Sequence, residues 1–313
     1  MTNRPVIGHE KLVADLKTLA RRGALAHGLL FHGPSMTGKR STAQALARFL
    51  ERGMGAGAFA VPAPGEVLQD AMTVDLAFAK QIDPARKDSV SIDAVREIRN
   101  FLWRKPVASP KRTLVIDEAE FLTVEAQNAL LKVIEEPPAS SLIIVVSSDL
   151  DSLLPTIPSR LQKTYFGAVP EPEIAAWLAA GGNLAAGGGS EDARPAPAAK
   201  PLTKAEAKAL AKRAMGKPGL AFRLLNDAPF EKNLELAEKF LRAAPAARRD
   251  LIKELIEPEN FNLRLFLEAV MLSLAWEKPS PARTARWHKA LAIYGSAADF
   301  GLNPRLQLAD LLL

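Results

Sequence analysis

The sequence contains no cysteine. That excludes disulfide staples, thiol nucleophiles and any zinc site built on thiolates. Histidine is scarce as well: His9, His27, His32 and His288 are the full set, and they lack metal-ligand spacing. A metal held by protein side chains alone is not expected, and zinc is left out of the expected cofactors. Aromatic residues make up only 6% of the chain. Trp103 and Trp177 stand alone in sequence, so a ladder of rings for stacking nucleic-acid bases is not supported. No apolar run approaches the roughly 18 residues that a membrane span requires. The opening Met1-Thr2-Asn3-Arg4-Pro5 is polar and lacks the apolar stretch of a secretory signal. The expectation is a cytoplasmic protein with no membrane partner.

What is present suits a globular chain. Of 313 residues, 48% are hydrophobic and 24% charged, enough to bury a sizeable core. At about 150 residues per domain, the length predicts two domains or three small ones. Forty-one basic against 35 acidic side chains leave a net charge of +6, and the first 50 residues carry 8 of the basic ones and 2 of the acidic. Such an excess is compatible with nucleic acid nearby and does not require it.

The hydrophobic pattern alternates between two kinds of segment. Leu12, Leu16 and Leu19 repeat at helical spacing, as do Val95, Ile98 and Leu102. The runs Gly28–His32, Leu114–Ile116 and Leu142–Val146 are short, apolar and strand-like. Ala126–Ile134 reads as a helix stopped by Pro137-Pro138, which cannot continue the hydrogen-bond ladder. Apolar strands alternating with helices predict an α/β fold with a parallel sheet covered on both faces. Residues 53–71 read as a loop. After Phe166 the strand signal ends. Residues 181–200, rich in Gly, Ala and Pro, read as a flexible insertion. Lys204–Met215 reads as a helix broken by Gly216-Lys217-Pro218-Gly219, and the stretch from Leu234 onward as further helices.

Three segments carry chemistry. Gly33-Pro34-Ser35-Met36-Thr37-Gly38-Lys39 fits the first seven positions of the phosphate loop G-x-x-x-x-G-K-[ST], between a strand and a helix as the motif demands. Glycines let the loop wrap closely, N–H groups at the helix start face phosphate oxygens, and Lys39 meets the terminal phosphates. The eighth position should carry a hydroxyl for Mg²⁺. Here it is Arg40, which has no acceptor atom. Ser41 follows, but one helical step turns it about 100° away. The second segment ends a strand in Asp117-Glu118, the acidic pair that orients a Mg²⁺ shell and polarises water in nucleoside triphosphatases. The third is Leu154-Pro155-Thr156-Ile157-Pro158-Ser159-Arg160. Taken alone, Arg160 reads as an anchor for its own turn.

The runs Ile116–Glu120, Ala126–Pro138 (AQNALLKVIEEPP) and Leu154–Arg160 (LPTIPSR) together resemble the AAA+ subunits of bacterial sliding-clamp loaders, and among these the delta-prime type. The resemblance covers residues 5–166 well and continues weakly through Gly216–Ala221 and Leu302–Leu306. It implies a RecA-like AAA+ domain over 1–166, a helical lid over 167–228 interrupted at 181–200, and an all-α collar for oligomerisation over 229–313. It implies a place in the DNA polymerase III holoenzyme beside gamma/tau ATPase subunits and delta, acting on the sliding clamp and primed DNA. It implies ATP or ADP with Mg²⁺ as cofactors. It also implies that Arg160 reaches in trans into a neighbour's ATP site.

The departures from the family pattern bear on activity. Leu161 stands where Ser-Arg-Cys is usual. The four-cysteine zinc module of many relatives is absent. The lid turn carries Pro218-Gly219 in place of Gly-Ser followed by a sensing arginine, and Arg223 reads as a surface or core-edge residue. The role of Arg160 should tolerate Leu161; Arg40 and the lid turn are the two features that predict weak or absent ATPase activity of the chain's own. Two alternatives stay open: a gamma/tau-like ATPase built on Lys39, Asp117 and Glu118, and a DNA-binding adaptor outside any ring. His32 reads as structural. Lys105, Lys111 and Arg112 read as solvated, with a possible outlook onto DNA. Ser147 and Ser148 stand where such proteins often place a polar sensor.

Overall fold

The computed structural model describes residues 5–55, 57–84, 89–181, 202–243, 247, 251–252, 262–296 and 308. The insertion read at 181–200, beyond Gly181, and the segment Leu302–Leu306 lie outside the described residues. The chain divides into two compact units, Met1–Ala221 and Phe222–Leu313.

The first unit is built on a five-stranded sheet of order β2-β3-β4-β1-β5. Its strands are β1 (Gly28–His32), β2 (Ala71–Val74), β3 (Arg112–Ile116), β4 (Ser141–Ser147) and β5 (Gln162–Tyr165). All neighbouring strands are parallel. Side chains alternate across the pleat. Leu30, Leu114, Ile116, Ile143 and Val145 point to one face, under α3 (Leu76–Ile82), α4 (Ile92–Leu102) and α5 (Val124–Glu135). Leu29, Phe31, Val115, Leu142, Ile144 and Val146 point to the other, under α1 (Glu10–Arg21) and α2 (Lys39–Glu51). Burial on both faces explains why the centres of β1, β3 and β4 (Leu29–Phe31, Leu114–Ile116 and Leu142–Val146) are apolar without interruption.

The two edges lack that signature. Gln162-Lys163-Thr164-Tyr165 is mostly exposed, a polar edge of the kind that resists pairing with another chain. It and β2 were not legible as strands, and neither was α3. Leu161, just before β5, lies so close to the backbone of β1 that a Cβ at Gly28 would stand 2.4 Å from its Cδ2.

Below the sheet, the carboxylate of Asp70 is 1% exposed. It accepts hydrogen bonds from the N–H groups of Val107, Ala108 and Ser109 at 2.6–2.9 Å. Arg112 does not match the solvated reading. It is buried, donates to the carbonyls of Arg104 (3.0 Å) and Lys105 (2.9 Å), and lies 3.6 Å from Asp70. A strand-initial arginine can satisfy its fork on the carbonyls of the preceding loop, and no sequence periodicity shows that loop folding back.

After the sheet, α6 (Glu171–Ala179), α7 (Lys204–Arg213) and the start of α8 (Pro218–Asn226) build a small cluster around Ile174, Leu178, Ala207, Ala211 and Ala221. Thr203 and Glu206 form a reciprocal capping box at the start of α7. The second unit packs α9 (Ala228–Arg242), α10 (Leu263–Trp276) and α11 (Pro281–Ser296) around a core that includes the edge-to-face pair Phe240 and Phe266, 5.7 Å apart. Arg223 lies at the edge of that core, 3.9 Å over the Phe230 ring and paired with Asp227 and Glu268 at 3.3 Å each.

Candidate functional site: a phosphate loop closed by arginine

The candidate site lies at the carboxyl ends of β1, β2, β3 and β4, where parallel sheets present their loops. β1 delivers the chain into the phosphate loop at Gly33, whose φ is +130°. A Cβ there would stand 2.3 Å from the carbonyl oxygen of Phe166. This glycine is thus demanded by the neighbouring strand's exit as well as by the motif. Gly38, with φ +100°, precedes α2 and has nothing within 4 Å of a Cβ position. The Thr37 hydroxyl donates to the Pro34 carbonyl at 2.9 Å, and His9 Nε2 donates to the Thr37 carbonyl at 3.0 Å. The far rim is closed by the lid: the N–H of Gly219 donates to the Met36 carbonyl at 3.0 Å.

Lys39 is 4% exposed. Its Nζ donates to the carbonyls of Gly33 (2.7 Å) and Pro34 (2.6 Å) and to Ser148 Oγ (3.2 Å). Burial, only partly countered by Glu120 and Asp117 and reinforced by Lys217, brings its pKa down to about 8. Of the two serines at the end of β4, Ser148 is the one that meets the lysine. Its N–H is held in turn by Glu120 at 3.3 Å, while Ser147 caps its own turn on Asp149. His32 ends β1 beside Tyr165, its pKa lowered by burial and then by Lys163 and Lys39.

Arg40 occupies the centre. One guanidinium nitrogen, Nη1, lies 2.9 Å from Asp117 Oδ2, and the other, Nη2, lies 2.9 Å from Asp75 Oδ2. Burial works against the arginine's charge, but Asp117 and then Asp75 outweigh it and hold the pKa above its ordinary value. Burial pushes the Asp117 carboxyl up, and Arg40 opposes that push. Asp75 was not singled out from the sequence. It caps α3, its Oδ1 accepting from the N–H of Phe78 at 2.9 Å, so the signal that could have found it is an aspartate just before an apolar helical run. Ser41 takes part in neither ion pair.

Glu118 follows Asp117 in a left-handed conformation with φ +50°. Crowding by protein around it, then the charges of Asp117 and Glu120, raise its pKa to about 7, although the residue keeps an exposed edge.

The Mg²⁺ that the resemblance implies fails a test of fit here. The position that should offer a hydroxyl offers a cation, and the Asp117 oxygen that should face the metal shell is spent on that cation. Among the described residues no group of three or more His, Asp or Glu is arranged to hold a metal ion.

Arg160 sits apart from these groups. Its side chain is 39% exposed. Nη1 donates to the Thr156 carbonyl at 3.0 Å, and Nη2 pairs with Glu135 at 2.7 Å. The turn-anchoring contact is present, and the side chain remains partly exposed. Among the described residues no helix is long and apolar enough to cross a membrane.

Comparison with known proteins agrees with this architecture. The family described as "DNA polymerase III, delta subunit" matches residues 8–170. DNA polymerase III subunit gamma/tau of Mycobacterium bovis is 34% identical over 177 residues, 56% of this chain and 30% of that one. Subunit delta' of Pseudomonas aeruginosa is 32% identical over 166 residues, 51% of this chain and 49% of that one. The match thus spans less than half the length of these relatives. A DNA polymerase III gamma subunit-related protein of Thermotoga maritima shares the fold over 95% of this chain and 97% of its own, with a TM-score of 0.57 and 20% identity. With the parallel sheet, the phosphate loop and the family match over more than half of the chain in hand, the chain belongs to the AAA+ clamp-loader family of DNA polymerase III.

Proposed function

We propose that this chain is a delta-prime-like subunit, a scaffold that completes the clamp-loader ring and lends Arg160 to the ATP site of a neighbouring gamma/tau subunit. Its other partners would be delta and, through the complex, the sliding clamp and primed DNA, in the cytoplasm at the replisome. The observation that carries the reading is Arg40. With its guanidinium between Asp75 and Asp117, a cation of the chain's own stands where hydrolysis would need Mg²⁺, which favours a contribution to turnover made at a neighbour's site. Arg160 supports the second half, since its side chain is partly exposed and its guanidinium rests on one half-exposed carboxylate, Glu135, and the Thr156 carbonyl, contacts that a neighbour's phosphate can outcompete.

The test is to reconstitute the full chain with its ATPase partner, delta, clamp and primed DNA, and to replace Arg160 by Ala. An arginine supplied in trans is worth about 10³–10⁵ in turnover at the site it serves. Clamp- and DNA-stimulated ATP turnover is expected to fall by that site's share, with assembly unchanged. Unchanged turnover would refute the role. The gamma/tau-like alternative draws on the M. bovis match and on Lys39 and Glu118. It requires Mg²⁺-dependent turnover by the isolated chain that Lys39→Ala abolishes.

A further inference from the structure

The phosphate loop retains everything that meets an anion and has lost what meets a metal. α2 begins directly after Gly38, and Lys39 is buried with its ammonium on loop carbonyls. The place normally shared by a hydroxyl and a metal ion is filled from within. Arg40 reaches from the first turn of α2 to the ends of two strands, taking Asp117 after β3 on one nitrogen and Asp75 after β2 on the other, each at 2.9 Å.

We infer that Arg40 is a built-in cation standing in for the divalent metal, so that a nucleoside di- or triphosphate held by this loop is bound free of metal. Three arguments carry this. The first is occupancy: a metal on the Asp117 oxygen would have to displace Arg40 from it, and the guanidinium, still tethered by Asp75, would remain beside the incoming ion as a like charge. The second is valence. A guanidinium has five N–H donors in a fixed fork, and the two contacts with Asp117 and Asp75 leave donors free for phosphate oxygens, which arginine binds in bidentate fashion. The third is access: the Arg40 side chain keeps 34% exposure while Asp117 keeps 9% and Asp75 16%, so the arginine is the member of the trio that a ligand can reach. The inference rests on the reading of Arg40 used for the proposed function, whereas the role of Arg160 is tested separately, by turnover of the reconstituted complex.

The experiment titrates the full-length chain with a fluorescent methylanthraniloyl-ADP, once with millimolar Mg²⁺ and once with EDTA. The expected Kd values agree within about threefold. A loss of tenfold or more on chelation, which is about 1.4 kcal/mol, overturns the inference, and so does the absence of binding under both conditions. Arg40→Ser, checked for folding by circular dichroism, is expected to make binding metal-dependent by tenfold or more. If it folds and stays indifferent to Mg²⁺, Arg40 is not the substitute. Arg40→Lys keeps a cation and is expected to remain indifferent to Mg²⁺; metal-dependent binding by that variant also counts against the inference. If Arg40→Ser does not fold, the comparison on the unmodified chain decides alone.

Discussion

Replacing Lys39 by methionine should make the protein more stable at neutral pH and less stable at alkaline pH. The lysine is 4% exposed, and among the described residues its ammonium has two carbonyls and a hydroxyl as hydrogen-bond partners and no carboxylate. Burial brings its pKa from an ordinary 10.5 to about 8. That fall corresponds to roughly 3 kcal/mol spent on keeping the charge in the folded state. The sign follows from proton counts. Between pH 8 and 10.5 the unfolded chain still holds a proton that the folded chain has released, so stability rises with pH across that window. Below pH 8 the cost is present in full. Methionine fills a similar shape without charge but leaves the Gly33 and Pro34 carbonyls without their donor, at about 1 kcal/mol each. The net result at pH 7 is a gain of about 1 kcal/mol, or 2–4 °C in Tm for a unit of this size. Near pH 10.5 the order reverses, and the variant is weaker by about 2 kcal/mol. Urea unfolding of both proteins at the two pH values measures this. A variant that is destabilised by the same amount at both would refute the argument that the lysine is held at a cost.

Two further outcomes follow from the frame around the site. Asp70→Asn removes a buried charge that satisfies three N–H groups and faces Arg112, so thermal unfolding should show a loss of about 3–5 kcal/mol. Its backbone donors outweigh burial and hold its folded pKa below the ordinary value. Its contribution is therefore complete above the usual carboxylate range and fades as pH falls through the folded pKa; a variant whose deficit persists undiminished in acid would contradict this. Gly33→Ala should cost about 3 kcal/mol, more than Gly38→Ala, because the first adds a clash with the Phe166 carbonyl to the backbone strain and the second adds strain alone. Equal losses in denaturant titrations of the two variants would show that the clash relaxes.

The interior strands were legible because burial on both faces leaves them no choice but apolar residues, as in Leu142–Val146. The edges were not, because a strand with one flank in water can be written Gln162-Lys163-Thr164-Tyr165 and look like a loop. Arg40 was legible as a defect in the motif, since the hydroxyl was missing from a fixed position. Its partners divide: Asp117 stood at a strand end where acidic residues carry meaning, whereas Asp75 followed a strand of only four residues, Ala71–Val74, too short to be seen. Arg112 shows the opposite case, a charge beside proline that looked solvated and is enclosed by its own preceding loop. Periodicity reports which face of an element is covered; it carries no information about which distant carbonyl a long side chain will reach.

The contact between the phosphate loop and the lid has a consequence for how this sequence can change. Gly219 donates its N–H to Met36, and a Cβ at Gly219 would stand 3.0 Å from the Met36 Cβ and 3.2 Å from its carbonyl. Two segments remote in the chain are thus machined to one tolerance, with less than a methyl group to spare. Drift at either position is constrained by the other, and across relatives the bulk at the loop's crest and the bulk at the lid's first turn should vary as a coupled pair.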